Sequence, residues 1–196
     1  MHARRLSPLR TVAAATTLVL AAAPTAFAQK AAPYDGFLCC SMLSNGSWIS
    51  DQNYDDGYKK IVPAGTPVKF TGFGRWRLLV EIEGKKLGIG NDYSRTIDMD
   101  TFAARYVLKD DPAARLQAMA PKVRDAVLKR KVMRGMTREQ VAMALGYPTA
   151  SYTPDTSKPL WNYQFRSGEF QVFFTDDGRV DLLFGVPESR AKVWLE

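Results

Sequence analysis

The sequence predicts an α+β fold: a small β-barrel-like domain followed by a two-layer sandwich of two helices on a three-stranded antiparallel sheet. Three observations point there. Residues 132–148, VMRGMTREQVAMALGYP, hold a short helix with clear start and stop signals. Three runs of period-two alternation follow it, and a set of short alternating segments cut by turn signals precedes it.

From the amino terminus, Arg4, Arg5 and Arg10 form a basic region, residues 11–23 an apolar stretch, and Ala26, Phe27 and Ala28 a small-residue cleavage context before Gln29. This is the pattern of a secretion signal over residues 1–28, with cleavage expected between Ala28 and Gln29. The apolar stretch is shorter than the roughly 18–20 residues a membrane-spanning helix needs, so no transmembrane span is expected. The segment carries three of the 27 basic side chains and no acid; the remainder has 24 basic against 20 acidic groups, a formal charge of +4 rather than +7. That balance and export argue against nucleic acid as a partner.

The small β domain is placed at residues 37–109. Val68 and Phe70 alternate in TPVKFTGF, and Trp76, Leu78, Val80 and Ile82 in RWRLLVEIE. Turn signals at Asn45-Gly46, Asp55-Asp56-Gly57, Pro63-Ala64-Gly65 and Glu83-Gly84 delimit short strands. Residues 102–109, FAARYVLK, read as a last strand or as the lead into a linker near residues 110–112.

The second domain is placed at residues 112–186, with a tail over 187–196. Pro121 disfavours one continuous helix, because an internal proline costs about 3 kcal/mol while the first helical position tolerates it. A short turn and then a helix over residues 121–131 follow from that, closed by Lys129, Arg130 and Lys131. Thr137 and Gln140 form a capping box for the next helix, Val141, Ala144 and Leu145 share its apolar face, and Gly146 and Pro148 end it. In the strands, Trp161, Tyr163 and Phe165 share one face, as do Phe170, Val172 and Phe174, and Val180, Leu182 and Phe184. Ser167-Gly168 and Asp176-Asp177-Gly178 join them as antiparallel hairpins.

The order of GMTREQVAMALGYP, LWNYQF, FQVFF and GRVDLLF over residues 121–185 resembles the BamE-type (SmpA/OmlA) domain. Gly135, Met136, Thr137, Val141, Leu145, Gly146, Tyr147, Pro148, Trp161 and Tyr163 carry the likeness most specifically. The resemblance implies two helices on a three-stranded sheet and a non-catalytic envelope module that binds other proteins and assists outer-membrane protein assembly. The arrangement is also similar to that of β-lactamase inhibitor proteins. IVPAGTPVKF followed by a hairpin and GKKLGIG resembles bacterial SH3-like domains, which implies cell-wall binding as a further reading. Members of the assembly family are usually lipoproteins anchored through a cysteine directly after the signal. Here the first cysteines, Cys39 and Cys40, stand behind QKAAPYDG, so a periplasmic chain without lipid is expected, peripheral to the outer membrane at most.

Candidates for chemistry are few. The sole histidine, His2, lies in the signal, which removes imidazole-based nucleophilic catalysis and His-containing zinc sites from the exported chain. Asp98 with Asp100, and Glu81 with Glu83, would share strand faces and read as solvated charge. Gly88-x-Gly90 lacks the third glycine of a phosphate loop and reads as tight β turns. Cys39 and Cys40 can form a vicinal disulfide, bridge another chain, or remain small apolar side chains. Trp48, Tyr54, Tyr58, Trp76 and Trp161 read either as a peptide groove or as core. No cofactor, metal or catalytic residue is expected. Lys129, Arg130, Lys131, Arg134 and Arg138 form a cationic cluster expected to be exposed, which reads either as a solvated helix end or as a docking patch for an acidic protein surface or anionic envelope lipid. An assembly partner would dock beside the helices; an enzyme inhibitor would need an exposed aromatic face on the sheet.

Overall fold

The computed structural model describes residues 32–53 and 59–196. The expected signal with its Ala28 and Gln29 junction, and the aromatics Tyr54 and Tyr58, lie outside the described residues. Eleven strands carry the described architecture, and the expected sandwich of two helices on three strands is not what forms. The described residues are mostly β: an eight-stranded sheet curled into a half-barrel, a separate three-stranded sheet, and five helices.

The half-barrel comprises β1 (Tyr34–Leu38), β2 (Met42–Ser44), β3 (Trp48–Ser50), β4 (Lys60–Val62), β5 (Pro67–Gly74), β6 (Arg77–Ile82), β7 (Lys85–Gly90) and β8 (Val107–Leu108). Their order is β4-β2-β3-β7-β6-β5-β1-β8, antiparallel throughout except for the parallel pair β3–β7. Alternation sets the inner face: Val68, Phe70, Leu78, Val80 and Ile82 are buried as their spacing requires. Trp76 is not among them, because it lies in the turn ahead of β6 and is 39% exposed. Glu83 and Gly84 both adopt positive φ, 50° and 73°, as a two-residue hairpin turn that follows the strand twist demands.

Residues 102–106 belong to a helix rather than a last strand. Helix α1 (Met99–Tyr106) starts where the Asp98 carboxylate accepts from the Thr101 amide at 2.8 Å, and it buries Phe102, Ala103 and Tyr106 in the half-barrel core. Asp98 is thus a helix cap and not a strand-face carboxylate. The cap's hydrogen bonds hold its pKa below the usual value. Only Val107 and Leu108 return to the sheet, paired with β1.

The second layer holds α2 (Ala113–Ala118), α3 (Pro121–Leu128), α4 (Arg138–Leu145), β9 (Leu160–Phe165), β10 (Gly168–Phe174), β11 (Val180–Gly185) and α5 (Pro187–Val193), with sheet order β11-β10-β9. Trp161, Tyr163, Phe165, Phe170 and Val172 face inward against Val127, Val141, Ala144 and Leu145. The expected tail is part of this core. Pro187 opens α5 at a position where its missing N–H costs nothing, Val193 is fully buried, and the Val132 amide donates to the Val193 carbonyl at 2.6 Å. Among the described residues no helix is long and apolar enough to cross a membrane.

The two layers meet at the carboxyl end of α4. The Ser41 amide donates to the Met143 carbonyl at 2.8 Å. The Asn53 side chain, 2% exposed and at φ 53°, donates to the carbonyls of Leu145 (2.7 Å) and Ser41 (3.2 Å) and accepts from the Leu43 amide (2.7 Å). Gly146 lies against this junction at φ 83°, where an added Cβ would stand 3.0 Å from the Met42 sulfur.

The capping box on α4 is present: Thr137 Oγ1 accepts from the Gln140 amide at 3.2 Å and Gln140 Oε1 from the Thr137 amide at 2.9 Å. Thr137→Ala therefore lowers unfolding free energy by about 1 kcal/mol. Gly146→Val costs more, because it adds backbone strain and a clash with Met42. Chemical denaturation measures both; wild-type midpoints for the two variants would contradict this assignment of helix ends.

Candidate functional site

The cationic cluster expected around the α3–α4 turn does not form one exposed surface. Arg130 is only 7% exposed: the chain leaves α3 with Arg130 at φ 56°, which turns the guanidinium inward, 5.7 Å from the Phe165 ring, where Nη2 donates to the Asn53 carbonyl at 3.2 Å. Lys131 Nζ donates to the Ala191 carbonyl near the end of α5 at 3.0 Å, and burial, then the Arg130 charge, lower its pKa. Lys129 pairs with Asp125 one turn back, and Arg134 lies 3.7 Å from Asp181. Arg138 stands 4.8 Å from the Phe174 ring and reaches the Lys158 carbonyl at 3.4 Å. These residues are neighbours in sequence but point to different parts of the second layer.

Cys39 and Cys40 are joined as a vicinal disulfide, the first of the three alternatives, buried at the corner between β1 and β2. The peptide bond between them is not cis. The Cys39 amide donates to the Tyr106 carbonyl at 3.0 Å, so the pair belongs to the half-barrel core. Gly88 and Gly90 are not turn residues either. They lie within β7, where a Cβ on Gly88 would come 2.8 Å from the Trp48 ring, so glycine there is required by the indole lying across the strand. Trp161 is core, and Trp48 is half-buried over β7. With Trp76 in a turn and Tyr54 and Tyr58 outside the described residues, the described aromatics form no single groove.

The surface that stands out is the outer face of the three-stranded sheet. Register between β10 and β11 runs Gln171 to Phe184, Val172 to Leu183 and Phe173 to Leu182, and then slips, with Phe174 opposite Val180. Asp181 is the extra residue of a β-bulge. Because side chains alternate with period two, one inserted residue reverses the facing of everything beyond it. Val180 and Leu183 therefore point into the core, and Leu182 and Phe184 point to solvent, 40% and 65% exposed. The expected shared face of Val180, Leu182 and Phe184 does not exist. Leu160, Phe173 and Leu182 form one row across the outer face, and Asn162, Gln171 and Phe184 the next. Gln171 Nε2 donates to Asn162 Oδ1 at 2.9 Å and braces the second row. The helices cover the opposite side of this sheet.

One acidic group absent from the sequence reading is electrostatically unusual. Asp51 is 1% exposed at the end of β3, and burial raises its pKa from 3.8 to about 6. Amide donation from Tyr93 and a Ser94 hydrogen bond oppose that shift, and the neighbouring Asp92 charge adds to it. Its carboxylate accepts from the amides of Asp92 and Tyr93 and so fixes residues 92 and 93 to the end of β3, which is a structural task. Nothing in WISDQN distinguishes it from a solvated turn aspartate. Among the described residues no group of three or more His, Cys, Asp and Glu side chains could hold a metal ion.

The class defined so far is a β-rich protein of two sheets locked through a buried amide, with an apolar surface turned outward by a bulge. No family model, curated protein or solved structure matches the chain.

Asp51 gives a pH dependence of defined sign. A carboxyl whose pKa is higher in the folded than in the unfolded state contributes stability in full below about 3.8, and that contribution is lost as pH rises to about 6. The wild-type unfolding free energy minus that of Asp51→Asn therefore falls across this window, with a slope of at most about 1.4 kcal/mol per pH unit. Parallel stability curves for the two proteins between these pH values would contradict the burial cost assigned to Asp51.

Proposed function

We propose that the chain is a non-catalytic protein-binding module of the cell envelope, exported by its amino-terminal signal, and that the outer face of the three-stranded sheet is its docking surface. The observation that carries this reading is the bulge at Asp181, which places Phe184 and Leu182 in water beside Phe173 and Leu160. Contiguous apolar surface of this kind is disfavoured in a monomer and marks interaction sites. An aromatic and aliphatic centre bordered by the amides of Asn162, Gln164 and Gln171 has the composition of a protein interface, in which charge is depleted at the centre and hydrogen-bonding groups lie at the rim.

The apolar surface lies on the sheet, and the cations beside the helices are engaged within the chain. This favours, as a second reading, a partner enzyme whose cleft receives the sheet face over an assembly partner that docks beside the helices. Both belong to the same class of function, and the captured partner's identity separates them.

The double variant Leu182→Ser/Phe184→Ser tests the surface. Both side chains are exposed, so unfolding free energy stays within about 0.5 kcal/mol of wild type. Capture of the partner from envelope extracts, quantified by mass spectrometry, weakens at least about tenfold, as loss of an aromatic anchor at an interface centre does. Undiminished capture by a folded double variant would exclude this face.

A further inference from the structure

A second surface, on the half-barrel and remote in sequence from β11, combines cations and aromatic rings. The turn between β5 and β6 exposes Arg75 and Trp76, and Arg77 opens β6. Trp76 is 39% exposed; Leu79, Tyr93 and Tyr152 are exposed to a similar degree. The Arg95 guanidinium lies 5.5 Å from the Trp76 ring and the Arg77 guanidinium 4.9 Å from the Trp48 ring. Asp92 lies half-buried between them; burial raises its pKa, and the Ser50 and Trp48 side chains and both arginines oppose that shift. Among the described residues, Arg75, Arg77 and Arg95 form no ion pair within 4 Å. A cleft of about 500 Å³ runs between Trp48, Asp92, Tyr93 and Arg95.

This surface is held in place. The Asn91 amide donates to the Trp76 carbonyl at 2.8 Å, the Asp51 carboxylate accepts from the Tyr93 amide at 3.1 Å, and the Ser151 amide donates to the Tyr93 carbonyl at 3.2 Å. A guanidinium can lie against an aromatic ring, and its planar fork of N–H donors grips phosphate oxygens in pairs. Tryptophan and tyrosine, apolar in body and polar at one edge, favour the zone between headgroups and hydrocarbon. Three arginines against one half-buried carboxylate give the patch a net positive charge suited to an anionic leaflet.

We propose that this end of the half-barrel, with Trp76, Tyr93, Arg75, Arg77 and Arg95 as its contact residues, docks the protein on an anionic phospholipid surface through the headgroup phosphates. The docking is peripheral and uses contact residues distinct from those of the sheet surface proposed for the protein partner. It also relocates the lipid contact expected at Lys129, Arg130, Lys131, Arg134 and Arg138.

The test is co-sedimentation of the protein, as recovered from the exporting cell, with vesicles of one-third phosphatidylglycerol in phosphatidylcholine at low salt. Wild type binds these vesicles and leaves pure phosphatidylcholine vesicles unbound, and Arg77→Gln/Arg95→Gln binds about ten- to thirtyfold more weakly. The control Lys129→Gln/Arg134→Gln removes the same charge and keeps wild-type binding. Trp76→Phe loses the blue shift of tryptophan emission that accompanies vesicle binding. Absence of binding by wild type, equal binding to pure phosphatidylcholine, or equal weakening in the two double variants would overturn the proposal. So would full displacement by millimolar inorganic phosphate, which would show a site for the free anion. Leu182→Ser/Phe184→Ser keeps its vesicle binding and Arg77→Gln/Arg95→Gln keeps its partner capture; loss of vesicle binding by the sheet-face variant would assign the lipid contact to that face instead.

Discussion

The buried amide of Asn53 is the contact on which the relation of the two sheets depends. Three polar backbone groups, the Leu43 N–H and the carbonyls of Ser41 and Leu145, would lie without these partners where the half-barrel meets α4. Each such group costs on the order of 1–3 kcal/mol when buried unsatisfied, so one side chain that reaches all three fixes where the layers join. Asparagine suits the position twice over, because its short amide both donates and accepts and because it tolerates the left-handed backbone found there. Arg130 completes the arrangement by donating to the Asn53 carbonyl. A cation that looks like surface charge in the sequence is thereby spent on architecture.

With the layers fixed, the outer face of the three-stranded sheet stays uncovered, and the bulge decides what it presents. Were Asp181 paired as a regular ladder residue, the alternation set by Val180 would carry Leu182 and Phe184 into the core. With it, Leu183 fills the inner position opposite Val172, and two large apolar groups are turned to water. The ion pair between Arg134 and Asp181 is exposed on both sides and contributes little to stability. The bulge is better understood through what it does to neighbouring side chains. Bulges recur where a strand must re-aim a residue toward a binding partner.

Much of the local structure was legible in the sequence. Thr137, Gln140, Gly146 and Pro148 mark α4 by chemistry that acts within a few residues, and Trp161, Tyr163, Phe165, Phe170, Val172 and Phe174 alternate without interruption. What failed has physical reasons. In β11, period two reads VDLLF as one continuous strand, since nothing in the composition announces a bulge. FAARY belongs to a helix begun by Asp98, and a lone aspartate of this kind has the same sequence signature as solvated surface charge. PESRAKV is too short for its helical face to show, and only the burial of Val193 by distant partners identifies it as core. The basic cluster failed because clustering along the chain says nothing about direction: one residue at positive φ, Arg130, turns its side chain inward. Asn53 and Asp51 owe their roles to contacts distant in sequence, which no local pattern encodes.

The face bearing Phe184 is proposed to be occupied by another protein in the cell. Site-specific photo-crosslinking in living cells tests it most directly, with a benzophenone-bearing amino acid at position 184 and, as a control, at exposed Lys86 on β7. Occupancy of that face gives a covalent adduct with a distinct partner protein from position 184 and none from position 86. Adducts from position 86 with none from position 184 would contradict it.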